Sequence, residues 1–152
     1  MPVFGNILLT FACCIVLVFL VPVFLVGARF DFLGSMTDSW IRMAGLVPFA
    51  AGVVVMGIGL FSRPPRDGRE PTGLCRRVRN PVWLGALVAV FSQYLLYDWP
   101  PIIAYGVVLF VVADCLLRFA AEPAGATRSG AAFEAWCETV PRWIPHRSAQ
   151  AR

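Results

Sequence analysis

From Ile7 to Ala28 the chain carries no charged residue. A helix needs about 20 predominantly apolar residues to cross the hydrocarbon core of a bilayer. This run therefore predicts a membrane-spanning helix, and further apolar segments over about 43–62, 81–97 and 100–120 predict three more. The composition agrees, because 59% of the 152 residues are hydrophobic, which leaves a soluble domain of this size too little polar surface. The expectation is an all-α integral membrane protein. One membrane domain covers 1–152, with four transmembrane helices and a C-terminal interfacial amphipathic helix over about 131–140. No basic leader precedes the first run and no small-residue cleavage site follows it, so it is expected to be retained as a span and not removed as a signal.

The charges predict an orientation. All thirteen basic residues are Arg, and the net charge is +4. Arg63, Arg66, Arg69, Arg76, Arg77 and Arg79 crowd the segment between the second and third spans, against Asp67 and Glu70. Arg128, Arg142, Arg147 and Arg152 follow the fourth span. The loop between the first two spans balances Arg29 and Arg42 against Asp31 and Asp38, and the last loop carries only Asp98. Basic loops are retained in the cytoplasm. The Arg-rich loop, the tail and both termini are thus expected there, in a protein of the plasma (inner) membrane. Trp40, Tyr97 and Trp99 fall at span ends, where aromatic belts sit. Arginines placed beside apolar spans argue for membrane lipids as neighbours and against nucleic acid as a partner.

Pro22 and Pro48 lie inside spans and predict kinks, with neighbouring groups re-satisfying the freed carbonyls. Gly52, Gly57, Gly59, Gly85 and Ala89 offer small faces for helix packing. Five cysteines without a Cys-x-x-Cys pair, and His146 as the only histidine, argue against a disulfide framework and against a metal site.

The densest chemistry lies in Gly73-Leu-Cys-Arg-Arg-Val-Arg-Asn-Pro-Val-Trp-Leu-Gly85. Topology alone can account for Arg76, Arg77 and Arg79. Asn80-Pro81 adds more, because a residue before proline is extended or turned and proline suits the first helical position. Unpaired N–H groups at that helix start, flanked by arginines, attract an anion, either a cofactor carboxylate or a lipid phosphate. In the fourth span Asp114, Arg118 and Glu122 stand four apart and stack along one face. They form either an internal ion-pair ladder with Arg118 snorkelling outward, or the polar wall of a ligand cavity. Beyond them Phe133, Trp136, Cys137 and Val140 share a helical face, which reads as an interfacial helix lying against the cytoplasmic leaflet.

The thirteen-residue segment resembles the Gly-x-Tyr-Arg-x-x-Arg-His/Asn-Pro-x-Tyr-x-Gly signature of the isoprenylcysteine carboxyl methyltransferase-like family, which groups small membrane methyltransferases with phospholipid methyltransferases. Ala121-Glu-Pro-Ala-Gly125 resembles its second signature, Glu-Glu-Pro-x-Leu, and Cys137-Glu-Thr-Val-Pro-Arg-Trp-Ile-Pro145 resembles its close. The similarity runs from about Pro64 onward. It implies an S-adenosylmethionine site in which Arg79-Asn80-Pro81 and Glu122-Pro123 are two halves of one cytoplasm-facing pocket. Gly73, Arg76, Arg79, Asn80, Pro81 and Gly85 match the first motif, with Trp83 replacing its second Tyr. Glu122 and Pro123 match the second motif, and Gly130 the glycine that follows it. These residues, Gly130 apart, are the implied cofactor-binding set.

Arg79 and the helix start would take the cofactor carboxylate, and Glu122 the ribose or the amine. Arg79 and Glu122 are also the implied catalytic residues, and Asp114 and Arg118 would wall the substrate cavity. Methyl transfer from a sulfonium needs alignment and desolvation more than a metal. The implied methyl acceptor is a lipophilic small molecule or lipid bearing a carboxylate, an amine or a similar group. The departures are Cys75 and Trp83 for Tyr, Ala121 for Glu, Gly125 for Leu, Ser129 for Phe and Trp136 for Tyr. They motivate an alternative, a non-catalytic membrane binding or assembly protein whose arginine-rich loop docks anionic lipid or a partner. The sequence sets no oligomeric state.

Overall fold

The computed structural model describes residues 12–13, 15–22, 24, 40–66 and 69–144; 81% of them are helical and none forms a strand. The all-α expectation agrees with this. Both termini, much of the first apolar run, the loop with Arg29, Asp31 and Asp38, Asp67, and the tail with His146, Arg147 and Arg152 lie outside the described residues.

Four α-helices are described: α1 (Trp40–Phe61), α2 (Pro81–Tyr97), α3 (Pro101–Leu116) and α4 (Glu122–Thr139). A π-helical turn, Val16–Leu20, lies in the first apolar run, a 3-10 turn, Gly73–Arg76, precedes α2, and a second π turn, Leu117–Ala121, joins α3 to α4. Met43–Phe61 and Pro101–Thr139 are long and apolar enough to cross a membrane, and α2 is a shorter apolar helix. Only 22% and 28% of the residues in their most apolar stretches are buried. A core helix of a soluble protein buries such residues, whereas here Val47 and Phe61 are 71% and 83% exposed.

The chain divides into two compact units, one of Met1–Val54 with Gly85–Leu109, the other of Val55–Leu84 with Phe110–Arg152. In the first unit two long-range hydrogen bonds end on carbonyls one turn before Pro22. Having no N–H, it cannot serve the Val18 carbonyl in α register or the Leu17 carbonyl in π register. Gln93 Nε2 donates to the first at 2.7 Å and the Tyr105 hydroxyl to the second at 2.7 Å. Residues on α2 and α3 thus serve two carbonyls at this bend, where the proline's single missing N–H leaves one without its helical donor and the π turn before it accounts for the other. In the same unit α1 meets α2 at Gly52, where an added Cβ would lie 2.6 Å from the Ala89 nitrogen and 2.7 Å from the Gly85 oxygen. Gly57, expected to join this packing, has nothing within 4 Å of an added Cβ.

In the second unit the loop after α1 is tied back on itself. Gly73 opens the 3-10 turn at φ +57°, a conformation that suits glycine, and the Leu74 N–H donates to Ser62 Oγ at 3.0 Å. Arg63 and Thr72 bond reciprocally, the Arg63 N–H to Thr72 Oγ1 at 3.1 Å and the Thr72 N–H to the Arg63 carbonyl at 2.9 Å. Cys75 then packs with Phe133, Trp136 and Val140, and Trp136 Nε1 donates to the Cys75 carbonyl at 2.9 Å.

Two expectations change here. Helix continues through Pro123, directly after a π turn in which the Glu122 N–H reaches back to the Leu117 carbonyl; the break falls instead at Gly130, whose φ 53°, ψ −141° is open essentially to glycine alone. The apolar face of the segment after Gly130 is also spent differently. Phe133, Trp136 and Val140 are each less than a tenth exposed and cover the Cys75 turn, so this face is buried in protein and not turned to the leaflet.

Candidate functional site

Asn80 and Pro81 build the start of α2. The Asn80 carbonyl accepts the first helical bond, from the Leu84 N–H at 3.0 Å, and Pro81 occupies the first helical position. Helix geometry leaves the Val82 and Trp83 N–H groups without an acceptor inside the helix. Immediately before it the Arg79 N–H donates to the Pro141 carbonyl at 3.0 Å, which ties the tail beyond α4 to this turn.

An ion-pair network extends from Arg79. Its Nη1 donates to Glu122 Oε1 at 3.1 Å. Arg142 forks the same carboxylate, Nε to Oε1 at 2.9 Å and Nη2 to Oε2 at 2.7 Å. The Arg142 Nη1 lies 3.5 Å from Asp114 Oδ1, Trp143 Nε1 donates to that oxygen at 3.0 Å, and Arg118 Nε pairs with Asp114 Oδ2 at 2.6 Å. The Glu122 carboxylate bonded to it raises the Arg142 guanidinium pKa above its ordinary value, against the opposing effect of burial. Arg79, Arg118 and Arg142 outnumber Asp114 and Glu122 by three to two, so the network keeps one positive charge in surplus.

Among the described residues two buried donors at this turn make no hydrogen bond, Arg79 Nε and Asn80 Nδ2, while the Cys137 thiol lies against the Arg79 guanidinium. Burying a donor unpaired is costly, so most such groups have a reason. Orphan donors on consecutive residues, a helix start and a surplus positive charge are the chemistry that an anion with several acceptor oxygens, a carboxylate or a phosphate, would draw on. Glu122 has little left to offer: three of its roughly four lone-pair positions are used, leaving one on Oε2.

The residues singled out in the sequence do not all converge. Arg79 and Glu122 meet in this network, Asp114 with Arg118 joins it, and Asn80 and Pro81 follow Arg79 directly in the chain. The Asp114–Arg118 pair forms as its spacing predicts, with the Arg118 side chain 56% exposed and Asp114 18% exposed. That supports the snorkelling ladder. Arg76 stands apart, its Nε donating to the Pro71 carbonyl at 3.0 Å and its Nη2 lying 3.7 Å from Glu70. Gly73 shapes the turn, and Pro123 lies in the first turn of α4, where its carbonyl accepts from Thr127 Oγ1 at 3.2 Å. Trp83 is half-buried in the first turn of α2. Gly85 belongs to the first unit, where it serves packing.

Arg142 and Trp143 were not among the expected site residues. Their signal was faint: a polar and an aromatic residue directly after the helix-stopping Pro141, in a tail whose arginines topology already explained.

No family model, no curated protein and no solved structure matches the chain. The fold and the site therefore define a class only: a protein whose described residues are helical, with two helical stretches able to cross a membrane and a half-buried guanidinium–carboxylate network at the start of α2.

Proposed function

We propose that the protein is an integral membrane methyltransferase that uses S-adenosylmethionine to methylate a lipophilic molecule held in the bilayer. In this reading four helices span the plasma (inner) membrane, both termini face the cytoplasm, and the cofactor binds on that side. The observation that carries it is the pair of buried, unpartnered donors, Arg79 Nε and Asn80 Nδ2. They fall within the segment whose resemblance implies a cofactor carboxylate.

The residues present fit such a cofactor. Arg79 and Asn80 hold the carboxylate, and the remaining Glu122 lone pair accepts from an amine or a ribose hydroxyl. Bound S-adenosylmethionine supplies an electrophilic methyl group. The chain's own contribution is to orient and to exclude water, which is where most of the rate of such a transfer arises. The exposed apolar faces of α1 and α3 let a lipophilic methyl acceptor approach from the lipid.

Calorimetry on detergent-purified protein tests the reading. S-adenosylhomocysteine is expected to bind the parent and to bind Asn80→Ala more weakly; absence of binding heat in the parent rejects it.

One observation favours a second reading. The Glu122 carboxylate is already met by three bonds from Arg79 and Arg142, which suits a structural brace. On that reading the protein is a non-catalytic membrane binding or assembly protein, and its basic loop docks anionic lipid. Native mass spectrometry separates the two: retained phospholipid without nucleoside supports the second, and a co-purified nucleoside supports the first.

A further inference from the structure

Two cysteines meet where the end of α4 covers the turn before α2. Cys75 is 3% exposed and packs with Phe133, Trp136 and Val140, and Cys137 packs against the same cluster. Residues 133, 136, 137 and 140 stand at i, i+3, i+4 and i+7, and on one helical face such positions bound a single hole. Cys75 packs with three of its corners, and its carbonyl accepts from Trp136 Nε1 at 2.9 Å. Cys137 is the fourth corner. A disulfide needs its two Cα atoms ~4.4–6.8 Å apart, so it is open only to cysteines of one packing layer. Among the described residues Cys75 and Cys137 are the two that share one, whereas Cys13 belongs to the other compact unit and Cys115 is exposed on α3. The two thiols are placed unequally. Cys75 sits among apolar side chains, which keeps it a neutral thiol. Cys137 is half-buried; burial disfavours its thiolate, and the Arg79 guanidinium against it works in the opposite direction.

We propose that Cys75 and Cys137 are a redox-active thiol pair, which a hydroperoxide converts to a disulfide that fastens the end of α4 to the turn before α2. Cys137, the more accessible of the two and the one beside a guanidinium, reacts first. Its sulfur attacks a peroxide oxygen, an S–O bond forms, the O–O bond breaks, and an alcohol (water, from hydrogen peroxide) departs with the thiol proton. The Cys75 sulfur then attacks the Cys137 sulfur. An S–S bond forms, the S–O bond breaks, and the hydroxyl leaves as water with the Cys75 proton. The two thiols give up two electrons and the peroxide takes them. A dithiol reductant reverses the step by exchange. The pair acts whether or not the protein binds a methyl donor.

The test uses folded full-length protein in detergent and hydrogen peroxide as the probe. After timed exposure the remaining thiols are blocked with iodoacetamide, the chain is digested without reductant, and the peptides are read by mass spectrometry. In the parent a peptide linking Cys75 to Cys137 is expected to accumulate until it accounts for most chains, and to disappear with dithiothreitol. In Cys75→Ser the reaction is expected to stop at a Cys137 sulfenic acid, which dimedone captures. In Cys137→Ser, Cys75 is expected to remain a thiol. A Cys137 sulfenic acid that persists in the parent overturns the proposal, because the second thiol is then out of reach. A Cys137 that stays unoxidised overturns it as well, as does a link that forms only in chains unfolded by denaturant. These three outcomes are read on the parent, so the decision stands even where a variant fails to fold.

Discussion

Replacing Glu122 by Ala removes the one group that joins Arg79 to Arg142. Three hydrogen bonds go with it, at 3.1, 2.9 and 2.7 Å, and two guanidinia are left without that partner. Each charge-assisted bond contributes ~1.5–3 kcal/mol, but three bonds that share one carboxylate do not add. Removing one member of a fully buried ion pair costs ~3–5 kcal/mol. The three side chains here are 17–22% exposed, so water recovers part of that loss. The expected cost is therefore ~2–4 kcal/mol. For a chain of this length each kcal/mol moves the midpoint by ~2–4 °C, which gives a fall of roughly 5–15 °C. Tryptophan fluorescence of detergent-solubilised protein, scanned at one fixed rate, reads this directly because Trp136 and Trp143 report on the tail. Glu122→Gln keeps an acceptor and is expected to lose about half as much. Glu70→Ala is the control, since its pair with Arg76 is 3.7 Å long and well exposed, and no measurable change is expected. If Glu122→Ala melts with the Glu70→Ala control, the network does not hold the tail and the reasoning fails.

Other perturbations probe other contacts. Gly52→Ala drives a Cβ against the α2 backbone and is expected to destabilise by ~1–3 kcal/mol, whereas Gly57→Ala, in open space, should be neutral or slightly stabilising; equal effects contradict the packing described. Gln93→Leu strands the Val18 carbonyl at a cost of ~1–3 kcal/mol, and Pro22→Ala in the same chain should recover much of it by restoring an N–H; a double-mutant cycle without coupling refutes the link. Burial raises the Cys75 thiol from 9.0 to about 11, so native protein should resist maleimide at pH 8 at this position, and rapid labelling there contradicts its burial. Because the folded value lies above the unfolded one, the thiol's contribution to stability is intact below pH 9 and is lost as pH rises towards 11, so melting at pH 10 should come earlier than at pH 8.

Much of the helical layout was legible because its boundaries carry local signals. Pro81 opens α2 at the expected residue, and the apolar run closes it at Tyr97. The Asp114–Arg118 pair followed from four-residue spacing alone. The end of the fourth span near residue 120 was misplaced, since helix runs on past Pro123 after a π turn and breaks only at Gly130. The tail was opaque for another reason. Arg142 meets Glu122 and Trp143 meets Asp114 across 20 and 29 residues, and no periodicity links positions brought together by a kink at Gly130. Gln93 was visible as a polar residue in an apolar helix, but its partner is a backbone carbonyl exposed by a proline on another segment. Such a partner has no side-chain signature.

The central claim is methyl transfer, and the most direct measurement follows the methyl group itself. Protein reconstituted in vesicles of native membrane lipid extract is incubated with methyl-labelled S-adenosylmethionine, and the organic phase is assayed for label. Time-dependent label is expected in that phase with the parent protein, and its loss with Asn80→Ala. Label at the level of protein-free vesicles, from a parent shown to be folded, contradicts it.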